Sequence, residues 1–294
     1  MLLKIKNKLF RTRQLVKLAR EDLATVKEKL KHIEESVCAA DGALAWSPLV
    51  FERWKKLTEC FQFKKLLIEK KERAGCDADG GYVVPADWRK TGILISLGIG
   101  PENTFDMHFA RAGIQVDAYD HSISRLPKEH PRINWIKQKV VEGPNHSQNE
   151  ISLQEILEKL PEGVNASLKL DIEGWEIPAL LACPENLLRR LRFIVAEFHG
   201  IASALAEGRT ASIEASWRKL SWYFDVVHFH GNNSGGGRVL GGALIPELIE
   251  VTLVNRNFYQ TVDGFDKVSS VFDRPNIPGK AEIQFLLPNE YNAE

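Results

Sequence analysis

The hydrophobic pattern is clearest between residues 92 and 122, where it predicts a strand, a turn, a helix and a second strand. Residues 93–97, ILISL, form a short run without polar alternation, as expected for a strand buried on both faces of a parallel sheet. Gly98 and Gly100 then break the run, and glycine allows both a tight turn and the close approach of a ligand. A helical pattern follows, and residues 116–119 predict the next strand.

Five further apolar segments predict the remaining strands of the sheet, and they comprise residues 133–141, 166–172, 193–198, 224–230 and 246–254. The last two have no helical pattern between them, so they should pair antiparallel. Between these two segments, the glycine-rich residues 231–237 predict a flexible polar loop. The pattern as a whole predicts an α/β fold built on a Rossmann-like, seven-stranded sheet. A capping box of Ser152 and Glu155 predicts a helix over residues 152–160.

The first 40 residues follow a seven-residue period instead. Apolar side chains recur at one heptad position and at its partner position over five repeats, with Thr12 as the one polar exception. The first position holds Leu2, Leu9, Val16, Leu23, Leu30 and Val37. Such a seam needs a partner helix, so an oligomerising coiled coil is the preferred interpretation. Because the first 20 residues carry seven Lys or Arg and no acid, an amphipathic helix on an anionic membrane is the alternative. A helix packed on its own domain is the third.

Breaks in the pattern divide the chain into three parts. Residues 1–40 form the heptad helix, residues 41–75 a helical linker region, and residues 76–294 the main domain. Within the linker, residues 50–73 are predicted to be helical. At the start of the main domain, residues 79–82, DGGY, are typical of a hairpin turn. The same segment could also form a loop that folds over a ligand.

Composition excludes several classes of protein. A hydrophobic content of 44% supports a full core, and the equal counts of 39 acidic and 39 basic residues argue against a dedicated nucleic-acid binder. The four cysteines are scattered without C-x-x-C spacing, which argues against a zinc site and fits a reduced, cytosolic protein. No apolar run approaches the roughly 20 residues of a membrane span. The expected location is therefore the cytoplasm, with peripheral contact at the inner face of the membrane through the basic N-terminus.

The residues around the glycine turn suggest a nucleotide-type ligand. Asp120 lies at the tip of the second strand, 20 residues after Gly100, where a carboxylate can accept hydrogen bonds from ribose hydroxyls. The alternative is an ordinary βαβ unit with an acidic loop. The dinucleotide fingerprint requires a third glycine, but Asn103 occupies that place. S-adenosylmethionine (SAM) has no phosphate, so this departure favours SAM over NAD.

Five polar residues follow the predicted strands: Asp120, Asp171, Glu173, Glu197 and His199. Ligands of open α/β sheets bind outside the carboxyl ends of the strands, so these residues should converge at one edge. Carboxylates and an imidazole there suit proton abstraction or binding of a divalent ion. Acids are also favoured at helix N-termini. That explanation is preferred for Glu176, whereas a functional role is preferred for Asp171 and His199.

Several of these motifs together resemble one family. They are Asp79-Gly80-Gly81-Tyr82-Val83, Ser96-Leu97-Gly98-Ile99-Gly100, Asp120-His121-Ser122, Lys169-Leu170-Asp171-Ile172-Glu173-Gly174-Trp175-Glu176 and His230-Gly231-Asn232-Asn233. The chain resembles the FkbM-like SAM-dependent methyltransferases over about residues 70–255, and the octapeptide of residues 169–176 is close to the family hallmark K-x-D-x-E-G-x-E. Trp175 stands where smaller residues or histidine are common in the family, so the acceptor pocket is expected to differ in shape.

The resemblance implies a class I methyltransferase sheet and SAM-dependent O-methylation of a sugar, a glycan or a related natural product, for example in bacterial surface polysaccharide synthesis. It turns the hairpin loop into a cofactor contact. The predicted cofactor-binding residues are Asp79, Gly81, Tyr82, Gly98, Gly100, Asn103, Asp120 and His121. Two other functions stay open, a non-catalytic coiled-coil scaffold and an NAD-linked oxidoreductase, the second being disfavoured by Asn103.

O-methylation also suggests roles at the sheet edge. A sugar hydroxyl is a poor nucleophile near neutral pH, so a base or a metal should help to remove its proton. His199 is the first candidate for the base and His230 the second. Asp171 is the third candidate catalytic residue, and Asp171 with Glu197 forms the candidate Mg²⁺ site, because Mg²⁺ prefers oxygen ligands.

Overall fold

The fold is described from a computed structural model. The structure describes residues 48–144, 146–264, 271–283 and residue 287. The coiled coil predicted for residues 1–40 lies outside the described residues. The described part of the chain is a mixed α/β fold around one central sheet.

Thirteen strands and seven α-helices occur in the described residues. The strands are β1 (Lys64–Leu66), β2 (Lys71–Ala74), β3 (Tyr82–Pro85), β4 (Ile93–Leu97), β5 (Gln115–Tyr119), β6 (Ile133–Ile136), β7 (Lys139–Val141), β8 (Glu150–Ser152), β9 (Ala166–Leu170), β10 (Leu191–Phe198), β11 (Phe224–Leu240), β12 (Ala243–Asn255) and β13 (Thr261–Asp263). The helices are α1 (Pro48–Thr58), α2 (Thr104–Arg111), α3 (Leu153–Glu158), α4 (Glu176–Ala182), α5 (Glu185–Leu188), α6 (Ile201–Glu207) and α7 (Ala211–Ser221). A short 3₁₀ helix spans Trp88–Lys90.

Seven strands form the central sheet in the order β11-β12-β10-β9-β4-β5-β6. All neighbours from β10 to β6 are parallel, whereas β12 is antiparallel to both β10 and β11. The predicted seven-stranded, mostly parallel sheet is therefore confirmed, and its architecture is compatible with a Rossmann-like fold. The antiparallel pairing of the last two strands is confirmed as well.

The central strands carry continuous apolar sequences because both of their faces are covered. Every residue of β9 and β10 is buried. Along β10, Phe193 and Val195 belong to one hydrophobic cluster, while Ile194 and Ala196 belong to the other. Since successive side chains of a strand point to opposite faces, the two clusters are the two cores that sandwich the sheet.

The prediction of a helix over residues 50–73 is wrong beyond Thr58. Helix α1 ends there, and β1 and β2 follow within the segment that the sequence assigns to a helical linker. Strand β1 pairs with β13 and β2 with β3. The pairing of β1 with a strand about 200 residues away cannot be seen in a local pattern, and it overrides the weak local helix preference.

Two other predicted segments also differ. The flexible loop predicted for residues 231–237 is wrong, because β11 continues through it and the chain turns only at Gly241 and Gly242, both of which have positive φ. The pairing with β12 has a register shift between Asn232 and Gly237, which accommodates the glycines. The single strand predicted over residues 133–141 is divided into β6 and β7, and β7 pairs with β8 in a separate small sheet.

The predicted capping box is confirmed. Ser152 is the N-cap of α3, and its backbone N–H donates to the Glu155 carboxylate at 2.9 Å, while the Glu155 N–H donates to the Ser152 hydroxyl at 3.2 Å. The helix ends at Glu158, two residues before the predicted end at residue 160. Among the helices of the described residues, none combines the length and the apolar sequence that crossing a membrane requires.

Candidate functional site

A pocket of about 540 Å³ opens at the carboxyl ends of β4, β5 and β9. From β4 the chain continues outward through β5 and β6, and it then returns to β9 on the other side of β4. The pocket therefore lies where the strand order reverses, which is the usual ligand site of an open α/β sheet. Its volume falls within the range of roughly 300–1,000 Å³ that is common for small-molecule sites.

Acidic side chains dominate the polar lining of this pocket. The lining contains two lysines, Lys139 and Lys169, and six carboxylates, Asp79, Glu102, Asp106, Asp120, Asp171 and Glu173. Apolar walls come from Ile99, Phe105, Tyr119, Val140, Ile172 and Trp175. The pocket thus combines apolar surface for a flat ring with an excess of negative charge, which favours a cationic ligand.

The glycine turn after β4 forms the floor of the pocket. Gly98 has φ +84°, and a Cβ built on it would lie 1.7 Å from the carbonyl oxygen of Asp171, so only glycine fits. Gly100 has φ +65°, and a Cβ there would meet no atom within 4 Å. Both predicted glycines line the pocket. Gly98 is required because the Asp171 backbone leaves no room for a side chain, whereas the space next to Gly100 is open.

Asp120 ties the glycine turn to the end of β5. One carboxylate oxygen accepts hydrogen bonds from the backbone N–H groups of Ile99 at 2.8 Å and Gly100 at 2.9 Å. The other accepts from the N–H and the hydroxyl of Ser122, both at 2.7 Å. Burial alone would raise the pKa of Asp120, but these hydrogen bonds outweigh it and hold the pKa below its usual value. The ionised carboxylate lines the pocket beside exposed His121; its bond to a ribose stays a prediction.

The N-terminus of α2 points its own carboxylate into this region. Glu102 accepts hydrogen bonds from both the backbone N–H and the hydroxyl of Thr104. Asn103, the predicted cofactor contact, makes no side-chain cap and donates instead to the carbonyl of Lys128 at 2.8 Å. Glu102 therefore places a negative charge beside the N-terminus of α2.

The loop between β2 and β3 is both a hairpin connection and a wall of the pocket. Asp79 and Gly80 line the pocket, but Gly81 does not. A Cβ on Gly81 would lie 2.0 Å from the carbonyl oxygen of Cys76, so this glycine serves the packing of the loop. Burial raises the pKa of Asp79 above its usual value, although a hydrogen bond from Asn276 opposes the shift.

Tyr82, one of the predicted cofactor-binding residues, lies behind the pocket rather than in its lining. Its ring packs edge-on against Phe105 with 5.3 Å between centroids, and its hydroxyl donates to Asp171 Oδ2 at 2.8 Å. Lys169 Nζ donates to the same oxygen at 3.3 Å and to the carbonyl of Gly98 at 2.6 Å. Burial alone would lower the pKa of Lys169, but the charges of Asp171 and Asp106 raise it. Tyr82 and Lys169 therefore position Asp171.

His199 lies at the end of β10 between three carboxylates. Its Nδ1 is 3.2 Å from Glu176 Oε1, and its Nε2 is 3.4 Å from Glu173 Oε2 and 3.5 Å from Glu197 Oε1. Burial alone would lower the pKa of His199, but Glu176 and Glu197 raise it to about 9. The imidazole is therefore protonated at neutral pH, and it must lose that proton before it can act as the predicted base.

Glu176 is a structural residue, as the helix-terminus interpretation expects. It is the first residue of α4 and its carboxylate accepts hydrogen bonds from the backbone N–H groups of Ile172, at 2.8 Å, and Gly174, at 3.1 Å. The same oxygen that bonds both amides faces His199. Glu176 thus fixes the turn after β9 and places its carboxylate beside the imidazole.

Glu197, the predicted partner of Asp171 at a metal site, lies beneath the pocket and outside its lining. Its carboxylate accepts a hydrogen bond from Asn232 Nδ2 at 2.8 Å. In the sheet, Glu197 lies directly opposite Glu250 of the antiparallel strand β12. Burial, together with the charges of Asp171 and Glu250, raises the pKa of Glu197 well above its usual value. Glu197 is linked to the pocket through His199 and not directly.

His230, the second predicted base, is buried away from the pocket. Its Nδ1 is 3.2 Å from Glu250 Oε2 and its Nε2 is 3.3 Å from Glu282 Oε2. Burial alone would lower the pKa of His230, but these carboxylates raise it to about 9. With both ring nitrogens facing carboxylates, the geometry favours a structural role over the base role.

Sequence reasoning missed four charged residues that line the pocket, Glu102, Asp106, Lys139 and Lys169. Lys169 stands inside the hallmark octapeptide, so its motif was the available signal. Glu102 follows the glycine turn by two residues, and its place at a helix start was visible in the pattern. Asn276, which donates to both Asp79 and Glu250, had no local signal because its partners are distant in sequence.

Comparison of the chain with protein-family models finds no match, and comparison with curated proteins finds no significant match.

Proposed function

We propose that the chain is a SAM-dependent O-methyltransferase that acts on a hydroxyl of a sugar, a glycan or a related natural product. The proposal rests chiefly on one observation, an acidic pocket at the switch point of the sheet whose glycine turn is tied to an ionised aspartate, Asp120. SAM carries a sulfonium and an ammonium group, and six carboxylates suit such a cation.

The strand order supports the finer assignment to a class I methyltransferase sheet. In such a sheet, the strand that comes last in the sequence lies between the preceding strand and the parallel strands, and it runs antiparallel to both. Here β12 lies between β10 and β11 and is antiparallel to both. The FkbM-like motifs supply the same assignment from the sequence, and four of the five motif segments contribute residues to the pocket or to the sheet edge beside it.

The pocket disfavours an NAD-linked oxidoreductase. A pyrophosphate brings two negative charges to the start of a helix. At the start of α2 that place holds Glu102, already bonded to Thr104, and Asp120 lies on the adjacent strand end. SAM has no phosphate and a net positive charge, its one anionic group being the methionine carboxylate, so the same arrangement is compatible with it.

The proposed reaction moves the methyl group from the sulfonium of SAM to the acceptor oxygen. The S–CH₃ bond breaks as the O–CH₃ bond forms, S-adenosylhomocysteine leaves as a neutral thioether, and the hydroxyl proton passes to the edge cluster. We use edge cluster for Asp171, Glu173, Glu197 and His199. The chain's main contribution is to hold the acceptor oxygen in line with the methyl carbon, and a carboxylate of the cluster receives the proton.

The other sequence-based expectations belong to the same proposal. Residues 1–40 are proposed to join copies of the chain as a coiled coil, with their basic first turns in contact with a membrane or an assembly protein on the cytoplasmic side. No nucleic-acid partner is proposed. Sedimentation of the full chain tests the oligomer, because a monomer at micromolar concentration contradicts it.

Calorimetric titration with SAM and with S-adenosylhomocysteine tests the cofactor, with NADH as the negative control. We expect micromolar binding of the first two and none of NADH. The Asp120→Asn variant should bind SAM at least tenfold more weakly, whereas Asp117→Asn, on the same strand but outside the pocket lining, serves as the matched control. A folded chain that binds NADH, or that binds none of the three, overturns the proposal.

A further inference from the structure

The edge cluster contains a set of side chains with the chemistry of a metal site. One ligand atom each from Asp171, Glu173 and His199 lie within 4.8 Å of one another. The three residues come from two neighbouring strand ends, β9 and β10, so the backbone of the sheet fixes their spacing. Two metal–ligand bonds of about 2.0–2.2 Å span at most about 4.4 Å, so a shift of a few tenths of an ångström by the exposed Glu173 side chain brings the set into range of one ion.

The orientation of His199 matches that of a metal ligand. A ligating histidine characteristically pairs its other ring nitrogen with a carboxylate, which fixes the ring and its tautomer. Here Nδ1 lies 3.2 Å from Glu176 Oε1, and Glu176 is itself held by two backbone amides. Nε2 faces Glu173 and Glu197, so a cation that displaces the Nε2 proton finds the nitrogen lone pair at this position.

The two carboxylate ligands are also free to coordinate. Both hydrogen bonds to Asp171, from Tyr82 and Lys169, go to Oδ2, and within the described residues no hydrogen bond reaches Oδ1. Glu173 has φ +56° and is the one described non-glycine residue with positive φ. Its side chain is 87% exposed, yet it lies 3.4 Å from His199 Nε2. An unfavourable backbone conformation thus brings an otherwise free carboxylate to the imidazole.

We propose that Asp171, Glu173 and His199 bind one divalent transition-metal ion, of the Mn²⁺ class, at the rim of the pocket. The ligand set of two carboxylates and one imidazole differs from the all-oxygen site expected for Mg²⁺, since imidazole suits transition metals and Mn²⁺ also accepts carboxylates. Buried Glu197, 3.5 Å from Nε2, lies beside the same imidazole and outside the ligand set.

The position of the ion suggests its use, and this step rests on the proposed function. Asp171 and Glu173 line the pocket, so open coordination positions face the space beside the proposed cofactor. An acceptor hydroxyl bound there would be oriented and its pKa lowered, as happens to metal-bound water. The ion would thereby aid removal of the hydroxyl proton.

Mn²⁺ binding to the full chain, freed of metal with a chelator, tests the site without cofactor or acceptor. Free Mn²⁺ gives a sharp electron paramagnetic resonance signal that disappears on binding, so titration gives the stoichiometry and affinity. We expect one ion per chain. Binding should weaken at least about tenfold in Glu173→Gln, whose exposed side chain makes misfolding no concern, and also in His199→Gln. Exposed Glu142→Gln is the matched control and should bind as the wild type does.

Three results overturn the inference: no binding by the wild type, equal affinity of the wild type and Glu173→Gln, or displacement of Mn²⁺ by an equal concentration of Mg²⁺. The outcome is separable from that of the cofactor titration. Mn²⁺ binding without SAM binding supports the metal site and removes the methyltransferase proposal. SAM binding without Mn²⁺ binding does the reverse.

Discussion

Gly98 and Asp171 lie so close that a Cβ on the glycine would stand 1.7 Å from the aspartate's carbonyl oxygen. The two residues follow neighbouring strands, β4 and β9, and the Asp171 N–H donates to the carbonyl of Leu97 at 3.0 Å. This contact closes the floor of the pocket at the switch point of the sheet. The close backbone contact that requires glycine at position 98 therefore also fixes the backbone position of Asp171, from which its carboxylate side chain extends.

Gly98→Ala should destabilise the fold strongly. The new methyl group meets backbone, which cannot move aside as a side chain can, and φ +84° is unfavourable for alanine. We expect a loss of about 3 kcal/mol or more in the free energy of unfolding, measured by urea denaturation. Gly100→Ala is the matched control, because its methyl group has open space and only the φ penalty of about 1 kcal/mol applies. Equal losses in the two variants would contradict the role of the Gly98–Asp171 contact.

Asp120→Asn should remove a contribution to the stability of the fold that the wild type itself loses at acid pH. The pKa of Asp120 is lowered in the fold, because its hydrogen bonds outweigh burial. A lowered pKa stabilises the fold above the unfolded-state value of about 3.9 and loses that effect as the pH falls through the folded-state value. We expect the variant to be less stable by about 2 kcal/mol near pH 7, with the difference shrinking below about pH 4.

Urea denaturation across that pH range checks the Asp120 prediction. Asp117→Asn is the control on the same strand, since Asp117 bonds to the exposed side chain of Asn134 and to no backbone amide of the turn. A constant difference between the wild type and Asp120→Asn at all pH values would show that the carboxylate charge is not what holds the turn.

The fold was predictable where one local pattern decides it. The apolar run of β4, the glycines after it and the Ser152–Glu155 capping box each depend on residues near in sequence, and all are present. Residues 64–66 could not be assigned in this way, because their partner is β13. The glycines of residues 231–237 likewise stay extended only because β12 lies beside them.

The same distinction between local patterns and distant partners applies to the candidate site. Motif position correctly brought Asp79, Gly98, Gly100, Asp120 and Asp171 to one pocket, because strand ends of a parallel sheet converge. The sequence could not show which way a ring would turn. Tyr82 faces Asp171 instead of the pocket, and His230 faces Glu250 and Glu282, because buried polar groups must find partners wherever the fold provides them.

His230→Gln should flatten the loss of stability at alkaline pH. The pKa of His230 is raised from 6.5 to about 9, since Glu250 and Glu282 outweigh burial. A raised pKa stabilises the fold fully below the unfolded-state value, and this contribution is lost as the pH rises through about 9. We expect the wild type to lose roughly 1–3 kcal/mol through this group between about pH 6 and pH 9.5.

Thermal or urea unfolding of the wild type and His230→Gln at those two pH values measures this contribution. The variant should keep part of the pH dependence, because the pKa of His199 is also raised to about 9. His121→Gln, exposed at the pocket rim, should behave as the wild type does. If the pH dependence of stability is the same in His230→Gln and in the wild type, the buried ion pairs of His230 do not contribute to it.

Asn232→Leu should be among the most destabilising single changes in the sheet. Asn232 is fully buried, and its amide donates to Glu197 at 2.8 Å and lies 3.4 Å from Glu250. Leucine leaves two neighbouring carboxylates without this donor, and an unsatisfied buried group costs roughly 2–3 kcal/mol. The matched control is Asn134→Leu, whose exposed amide bonds to Asp117 at 3.2 Å; a surface change of this kind should stay within about 0.5 kcal/mol. If urea denaturation gives both variants the same small loss in the free energy of unfolding, Glu197 and Glu250 do not need the Asn232 amide as a hydrogen-bond donor.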